Sequence, residues 1–357
     1  MSKKKFLIIS LGRKALEEHT KNMALCFSTN DFDLICSRYS ETDYQIPNIV
    51  FTTKTYQSLV SFIINSIFIL PIFLLRLLKI HRHYDIVYFP TVHPWNFAII
   101  VLWRLLGKKT ILTIHDAELH PGEENIVLQL SLKFSMRLTS HLLFLTNYVQ
   151  KTAYKKLSLK TPFRIIPQGL LPLPDIELRN TRKGKNILFL GRISKYKGVD
   201  LLIKAVNEMP VDSYDSLTIA GMPIYDVTIP KDNPKIKLHA KYMSEKEMSN
   251  FLNQADIIVL PYIEASQSGV ILLATLAEKP IICSRVGGLN EQLSNEECLF
   301  INPQKEEIKN AIRELLTNDL LYSSIQTALK KKKKDLTWDS KAKLLMNYID
   351  DIRLKKI

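Results

Sequence analysis

The sequence predicts an α/β protein of two domains, each built on a parallel sheet, and three observations carry that prediction. Short β-rich apolar runs alternate with longer helical stretches, the rhythm of βαβ units. The runs form two series within 357 residues, a length beyond what one hydrophobic core usually organises. Between the series lies PQGLLPLPDIELRNTRKGK, rich in proline and charge as interdomain linkers are.

The first series comprises FLIIS (6–10), DLIC (33–36), DIVYF (85–89), TILTI (110–114) and LLFLT (142–146). The second comprises NILFL (186–190), LTIA (217–220), IKLH (236–239), DIIVL (256–260), IIC (281–283) and LFI (299–301). We therefore expect an N-terminal domain over 1–168, a linker over 169–185 and a C-terminal domain over 186–335, with the site in the cleft at the linker.

Composition narrows the class. Hydrophobic residues at 46% and charged residues at 24% suit a globular core and exclude disordered and fibrous chains. The formal charge of +14 implies an anionic partner. Zinc fingers, RNP motifs and basic recognition helices have no counterpart here, so nucleic acid is not expected. Cys26, Cys36, Cys283 and Cys298 lack CxxC spacing and are expected as reduced, buried thiols. The opening MSKKKFLIIS turns polar at once, so no secretory signal and a cytoplasmic location are expected.

The stretch from Leu59 to Leu78 matches a bilayer core in length if helical, at about 1.5 Å per residue. Asn65, Pro71 and Arg76 interrupt it, and one crossing would put strands 6–10 and 85–89 on opposite sides of a membrane. A helix buried or lying in the interface is the expectation. With Trp95, Trp103, Arg104, Lys108 and Lys109 it would form an apolar, basic surface facing an anionic membrane, or else a packed helix pair with solvated lysines. Lys330 to Lys334 form a further basic run, expected to be solvated.

Only 11 glycines occur, so where they sit is informative. Gly191 and Gly198 frame GRISKYKG directly after strand NILFL, Gly221 ends LTIAG, Gly269 lies in SQSGV, and Gly287 and Gly288 follow IICSRV. Four turns on one sheet edge are thus glycine-marked, where a missing Cβ lets backbone N–H groups approach a ligand. Ligands of open α/β sheets bind beyond the strands' carboxyl ends, so Arg192 and Lys197 project where a pyrophosphate would sit. Arginine supplies a planar fork and lysine a mobile point charge, a natural phosphate clamp.

GRISKYKGVDLLIKA, LTIAG, DIIVLPYIEASQSGVILLATLAEKPIICSRVGGLNE and the late WDSKA resemble retaining glycosyltransferase family 4. That family has the GT-B fold, two Rossmann-like domains facing across a cleft. The resemblance is specific across residues 186–302, and weaker in the first half, where TIHDAELHPGE (113–123) is similar to one branch of the family. It implies that Arg192 and Lys197 hold a donor diphosphate, that His115 lies near the transferred sugar, and that helix 338–357 packs back on the N-terminal domain. Two family glutamates are replaced here by Ser266 and Ala274, so the likeness is to a branch reading SQSG. There Ser266, Gln267, Ser268 and the backbone of Gly269 and Val270 are expected to contact sugar and phosphate, and Glu264 to supply a carboxylate.

His115 and Asp116 follow strand TILTI, which aims them off the strand end. A neutral histidine there is expected to donate to the sugar or to the departing phosphate, with Asp116 orienting it or the acceptor. Asp116 as a helix cap is the plainer alternative. His115 and His120 are five apart and do not share a helical face, and Asp31 and Asp33 spell D-x-D without further ligands, so no metal site and no cofactor are expected. The function implied is transfer of a sugar, with retention, from a nucleoside diphosphate sugar to a glycan or lipid-linked acceptor in cell-surface polysaccharide synthesis. The chain would sit peripherally on the inner face of the membrane. The alternatives are a non-catalytic nucleotide-sugar-binding protein, an epimerase of the same fold, and a basic peripheral membrane scaffold.

Overall fold

A computed structural model describes residues 4–12, 15–40, 44, 46–118, 126–179 and 181–355. The chain divides into two compact units: Met1–Gly169 with Trp338–Ile357, and Leu170–Thr337. Each is a Rossmann-like α/β unit around one all-parallel sheet, and PQGLLPLPDIELRNTRKGK belongs to the second unit from Leu170 on, with Leu171, Leu173 and Ile176 packed on its core.

The first unit contains strands β1 (Lys5–Ser10), β2 (Phe32–Ser37), β3 (Ile49–Thr53), β4 (Tyr84–Phe89), β5 (Lys109–Ile114), β6 (His141–Phe144) and β7 (Phe163–Ile165). Its helices are α1 (Ala15–Ala24), α2 (Leu59–Ile80), α3 (Asn96–Leu105), α4 (Ile126–Leu138) and α5 (Asn147–Leu157), joined by the last helix of the chain, Trp338–Arg353. The sheet order is β3-β2-β1-β4-β5-β6-β7. Side chains alternate across the pleat, so Phe6 and Ile8 enter one core while Leu7 and Ile9 enter another. Helix α1 and the last helix cover the first of these faces; α2 to α5 cover the second. Both faces are buried, which is why the central strands read as unbroken apolar runs.

The tryptophans take the second of their two expected places, in a packed helix pair and not on an interfacial surface. Trp95 and Trp103 are almost fully buried in the core beneath α2 to α4, and Trp95 Nε1 donates to Ser66 Oγ on α2 at 2.9 Å. They tie α3 to its neighbours and present no interfacial surface. Lys108 is likewise engaged, donating to the Tyr84 carbonyl at 2.8 Å. Helix α2 is not buried either, since only Phe73 and Leu77 are withdrawn from solvent. Asp33 holds Lys5 at 2.9 Å and the Tyr84 hydroxyl at 2.8 Å, a structural role. Cys36, Cys283 and Cys298 are buried free thiols, and Cys26 is half-buried.

The second unit contains β8 (Asn186–Leu190), β9 (Ser216–Gly221), β10 (Ile236–Ala240), β11 (Ile257–Leu260), β12 (Ile281–Ser284) and β13 (Leu299–Ile301). Its helices are α6 (Val199–Asn207), α7 (Glu245–Gln254), α8 (Gly269–Leu276), α9 (Leu289–Gln292), α10 (Lys305–Thr317) and α11 (Asp319–Asp335); the last helix, Trp338–Arg353, is α12. The order β10-β9-β8-β11-β12-β13 reverses direction between β8 and β11. A crevice opens at such a reversal, beyond the strands' carboxyl ends.

Candidate functional site

In the second unit, the loops after β8 and β11 meet at that reversal. Gly221 stands at φ +155, where a Cβ would lie 1.9 Å from the Gly191 carbonyl oxygen; at Gly198, φ +68, it would lie 2.0 Å from that of Pro261. No side chain fits at either place, so these glycines permit the three loops to close on one another. Backbone bonds lock the arrangement. Gly191 N donates to Ala220 O at 2.9 Å, and Ile263 N donates to Tyr196 O at 2.8 Å, tying GRISKYKG to both neighbours.

Lys197 Nζ lies 4.9 Å from the centre of the buried Tyr262 ring and beside Gly191, whose other neighbour is the Val270 side chain. Withdrawal from water, with the Arg192 charge adding to it, brings the Lys197 ammonium down to about 8. A cation held in that state gains more from an arriving dianion than a solvated one does. Arg192 is exposed on the same turn. Ser268 caps α8 through its backbone alone, with no side-chain cap bond, so the amides of Gly269 and Val270 open the helix toward the crevice. Gln292 fixes that end. Its Oε1 accepts from Ser268 N at 2.6 Å and its Nε2 donates to Ser268 O at 3.2 Å.

The structure thus brings together Gly191, Lys197, Gly221, Ser268, Gly269 and Val270. Ser266 and Gln267 are half-buried in the same loop, and Glu264 is exposed two residues before Ser266. Ala274 is fully buried in α8, so its position presents no group to a ligand. Tyr262, Tyr196 and Gln292 complete the site and carried no sequence signal, because each acts through a contact with a distant segment.

In the first unit, His115 follows β5 and its Nε2 lies 3.0 Å from the Pro90 carbonyl, which follows β4. A carbonyl only accepts, so Nε2 carries the proton and the neutral ring keeps its lone pair on Nδ1. His115 therefore offers an acceptor where a donor was expected. Burial lowers its pKa, against the Pro90 carbonyl and Asp116, which favour the charged form. His19 on α1 stands edge-on to His115, with ring centres 5.1 Å apart, and to Trp338 at the same separation. It is buried, neither ring nitrogen has a hydrogen-bond partner among the described residues, and burial holds it neutral well below the usual histidine range. Sequence reasoning missed it. Asp116 is half-buried and caps no described helix, while His120 lies outside the described residues. Among the described residues no group of three His, Cys, Asp or Glu is placed to hold a metal ion.

Comparison with known proteins follows this division. Residues 16–170 match the model for Glycosyltransferase Family 4, and residues 184–318 match that for Glycosyl transferases group 1. An uncharacterized 41.2 kDa protein in the cps region of Klebsiella pneumoniae is 30% identical over 112 residues, 31% of this chain and 30% of that protein. An uncharacterized glycosyltransferase of Methanocaldococcus jannaschii is 22% identical over 269 residues, 73% of this chain and 71% of that one. Among solved structures, HepE of Anabaena in complex with UDP superimposes with a TM-score of 0.73 at 15% identity, over 97% of this chain and 100% of that chain. Sucrose-phosphate synthase of Thermosynechococcus elongatus gives 0.71 at 15% identity, over 98% and 100%. These likenesses establish the GT-B fold.

Proposed function

The chain belongs to the glycosyltransferases, its first half matching family 4 and its second group 1, and from that premise we propose that it moves a sugar from a nucleoside diphosphate sugar to a lipid-linked or other glycan acceptor. The observation that carries this reading is the convergence, at one sheet reversal, of Lys197, three glycine-dependent loops and the start of α8, which has no side-chain cap. A diphosphate satisfies all three at once. Solved relatives of the fold, HepE among them, bind UDP or UDP-glucose, which supports such a donor here.

In the proposed reaction the second unit holds the donor and the first holds the acceptor. The bond from the anomeric carbon to the diphosphate oxygen breaks as the acceptor hydroxyl oxygen bonds to that carbon on the same face, and the departing phosphate takes the acceptor proton, so configuration is retained. Lys197, Arg192 and the α8 amides stabilise the charge that develops on the leaving group. His115, through the Nδ1 lone pair, orients a hydroxyl, and Asp116 and Glu264 are the carboxylates available to position acceptor and sugar. Neutralisation by these groups leaves no requirement for a divalent metal. The setting is synthesis of cell-surface polysaccharide, with the chain peripheral on the inner face of the membrane.

A thermal-shift series against UDP, GDP and their sugars tests the donor site, since a ligand at 100 times its dissociation constant adds about 2.7 kcal/mol. Stabilisation by one nucleotide family, with acceptor-dependent release of that nucleotide persisting in excess EDTA, is the expected result. Stabilisation without turnover would favour a non-catalytic binding protein, for which the absent carboxylates at Ser266 and Ala274 speak. No response to any nucleotide would leave only a membrane scaffold.

A further inference from the structure

Helix α2 is apolar all round, yet it packs on the sheet by a single stripe. Phe62, Ile69, Leu70, Phe73, Leu74 and Leu77 meet the core at helical spacing, while Leu59, Val60, Ile63, Ile64, Ile67 and Phe68 face outward. Leu59 is 70% exposed and Phe68 65%. A helix apolar on every side belongs in a core or in lipid, and the core takes only half of this one. The surface continues across neighbours. Phe97 on α3 meets Phe134 on α4 with ring centres 5.8 Å apart, and Ile126, Val127 and Leu130 extend it along α4.

The helices of this face carry charge of one sign, and the acid Glu118, in the loop after β5, ion-pairs with Lys156 of α5. The chain has 35 acidic residues, yet none lies on α2, α3, α4 or α5, whose charged residues are Arg76, Lys79, Arg104, Lys133, Arg137, Lys151, Lys155 and Lys156. The opposite face of the sheet is covered by α1 and α12, which mix Glu17, Glu18, Asp339, Asp350 and Asp351 with Lys21, Lys341, Lys343 and Arg353. The two groups on the exposed face are also segregated along the helices. Crossover helices run antiparallel to their strands, so their first turns lie at the strand edge where His115 sits. Most outward apolar residues lie in the first halves of α2 and α4, with Ile72, Leu75 and Phe134 beyond them, and the cations fall in the middle or later turns of each helix.

We propose that the outer face of α2 to α4 is a monotopic docking surface for an anionic phospholipid bilayer, with the starts of α2 and α4 inserted at the edge of the unit that carries His115. Helices that bear cations and no acid complement anionic headgroups, and the apolar stripe supplies insertion. Helix α2 does not cross the bilayer, because β3 before it and β4 after it belong to one sheet and its inner stripe is core. The docking stands apart from the transfer reading. Its consequence for the acceptor rests on that reading: a lipid-linked substrate would meet the unit at the edge where His115 offers its lone pair.

The test is flotation of the full chain with phosphatidylcholine vesicles, with and without phosphatidylglycerol, at low and high salt. The parent protein is expected to float with the anionic vesicles, and salt to weaken this without abolishing it, since inserted side chains are not screened. Combining Ile64→Ser, Ile67→Ser and Phe68→Ser, all off the packed stripe, is expected to cut the bound fraction about tenfold. Leu320→Ser, at a still more exposed apolar residue on the second unit, should float as the parent does. Unchanged fluorescence of the buried Trp95 and Trp103 and an unchanged nucleotide thermal shift would confirm that the triple variant is folded. Failure of the parent to float with anionic vesicles overturns the proposal, as does a triple variant that floats undiminished. A parent dimer that the triple variant dissolves, without vesicle binding, would assign the face to a second copy and overturn it too. Any of these with the nucleotide response intact would leave the transfer reading standing.

Discussion

At the scale of single residues, the proposed chemistry turns on two proton positions. Lys197 is brought down to about 8 by burial, and a bound diphosphate favours its charged form. Donor affinity is therefore expected to be constant below about pH 8 and to fall above it as the free protein loses the proton it needs, which calorimetry with UDP or GDP across pH would register. Lys197→Ala, which removes a charge-assisted bond of about 1.5–3 kcal/mol, should weaken nucleotide binding by roughly tenfold or more and flatten that alkaline fall. Unaltered affinity would take Lys197 out of the site. His115 works in the opposite direction. Its lone pair on Nδ1 is lost on protonation, and its pKa is lowered, so the acid limb of kcat/KM should lie below the ordinary histidine range near 6.5 and vanish in His115→Ala. Sequence reasoning reached both residues because each follows an apolar strand, in one case within a glycine frame. It assigned His115 the wrong hydrogen-bonding role, since the Pro90 carbonyl that fixes the tautomer lies 25 residues away.

At the scale of elements, α8 shows what strand-end logic leaves out. The apolar run GVILLATL marks a buried helix, and SQSG marks its start, yet what aims that start is Gln292 on α9, bonded to both backbone groups of Ser268. Gln292→Leu removes both bonds, each worth about 0.5–1.5 kcal/mol, and should weaken donor binding by roughly three- to tenfold with the melting profile retained. Gln292→Glu keeps the acceptor for Ser268 N, loses the donor to Ser268 O and adds a negative charge near the diphosphate, so it should bind nucleotide more weakly still. Equal affinity in parent and both variants would make the clamp irrelevant. The strands that escaped the sequence reading are β3 and β7, and the reason is their place at the two edges of the first sheet. β3 is mostly solvent-facing and β7 is only Phe163–Ile165, so neither shows the unbroken apolar run of a strand buried on both faces. For Trp95 and Trp103 the sequence left two readings open, and packing decides between them. Aromatics beside lysines suggest an interface, whereas here the rings turn inward to pin α3 against α2, and the apolar surface comes from isoleucines, leucines and phenylalanines on α2 and α4.

At the scale of the whole molecule, the chain passes between the units twice, after Gly169 and after Thr337. The second passage returns α12 to the first unit, where it is part of the core. Leu345, Tyr348 and Ile349 are fully buried and Ile352 nearly so; the Tyr348 hydroxyl donates to Leu142 O at 3.3 Å on β6. Arg353 grips Asp85 with Nε at 2.8 Å and Nη2 at 3.1 Å, a two-pronged pair that anchors the helix end to β4. Trp338 lies flat on Gly169, where a Cβ would fall 2.6 Å from the indole, and its edge meets His19 beside His115. Burying four such side chains is worth about 1.5–3 kcal/mol each, which together approaches the roughly 5–15 kcal/mol that holds a typical domain folded. Removing residues 338–357 is therefore expected to unfold the first unit. The second unit keeps its own sheet and a core that includes no residue of α12, so it should survive. Calorimetry of the truncated chain should show one remaining cooperative transition, still raised by the donor nucleotide, and transfer should be abolished. Loss of the nucleotide-sensitive transition as well would mean that the second unit does not stand alone. Retention of both transitions would mean that α12 contributes far less than its burial implies.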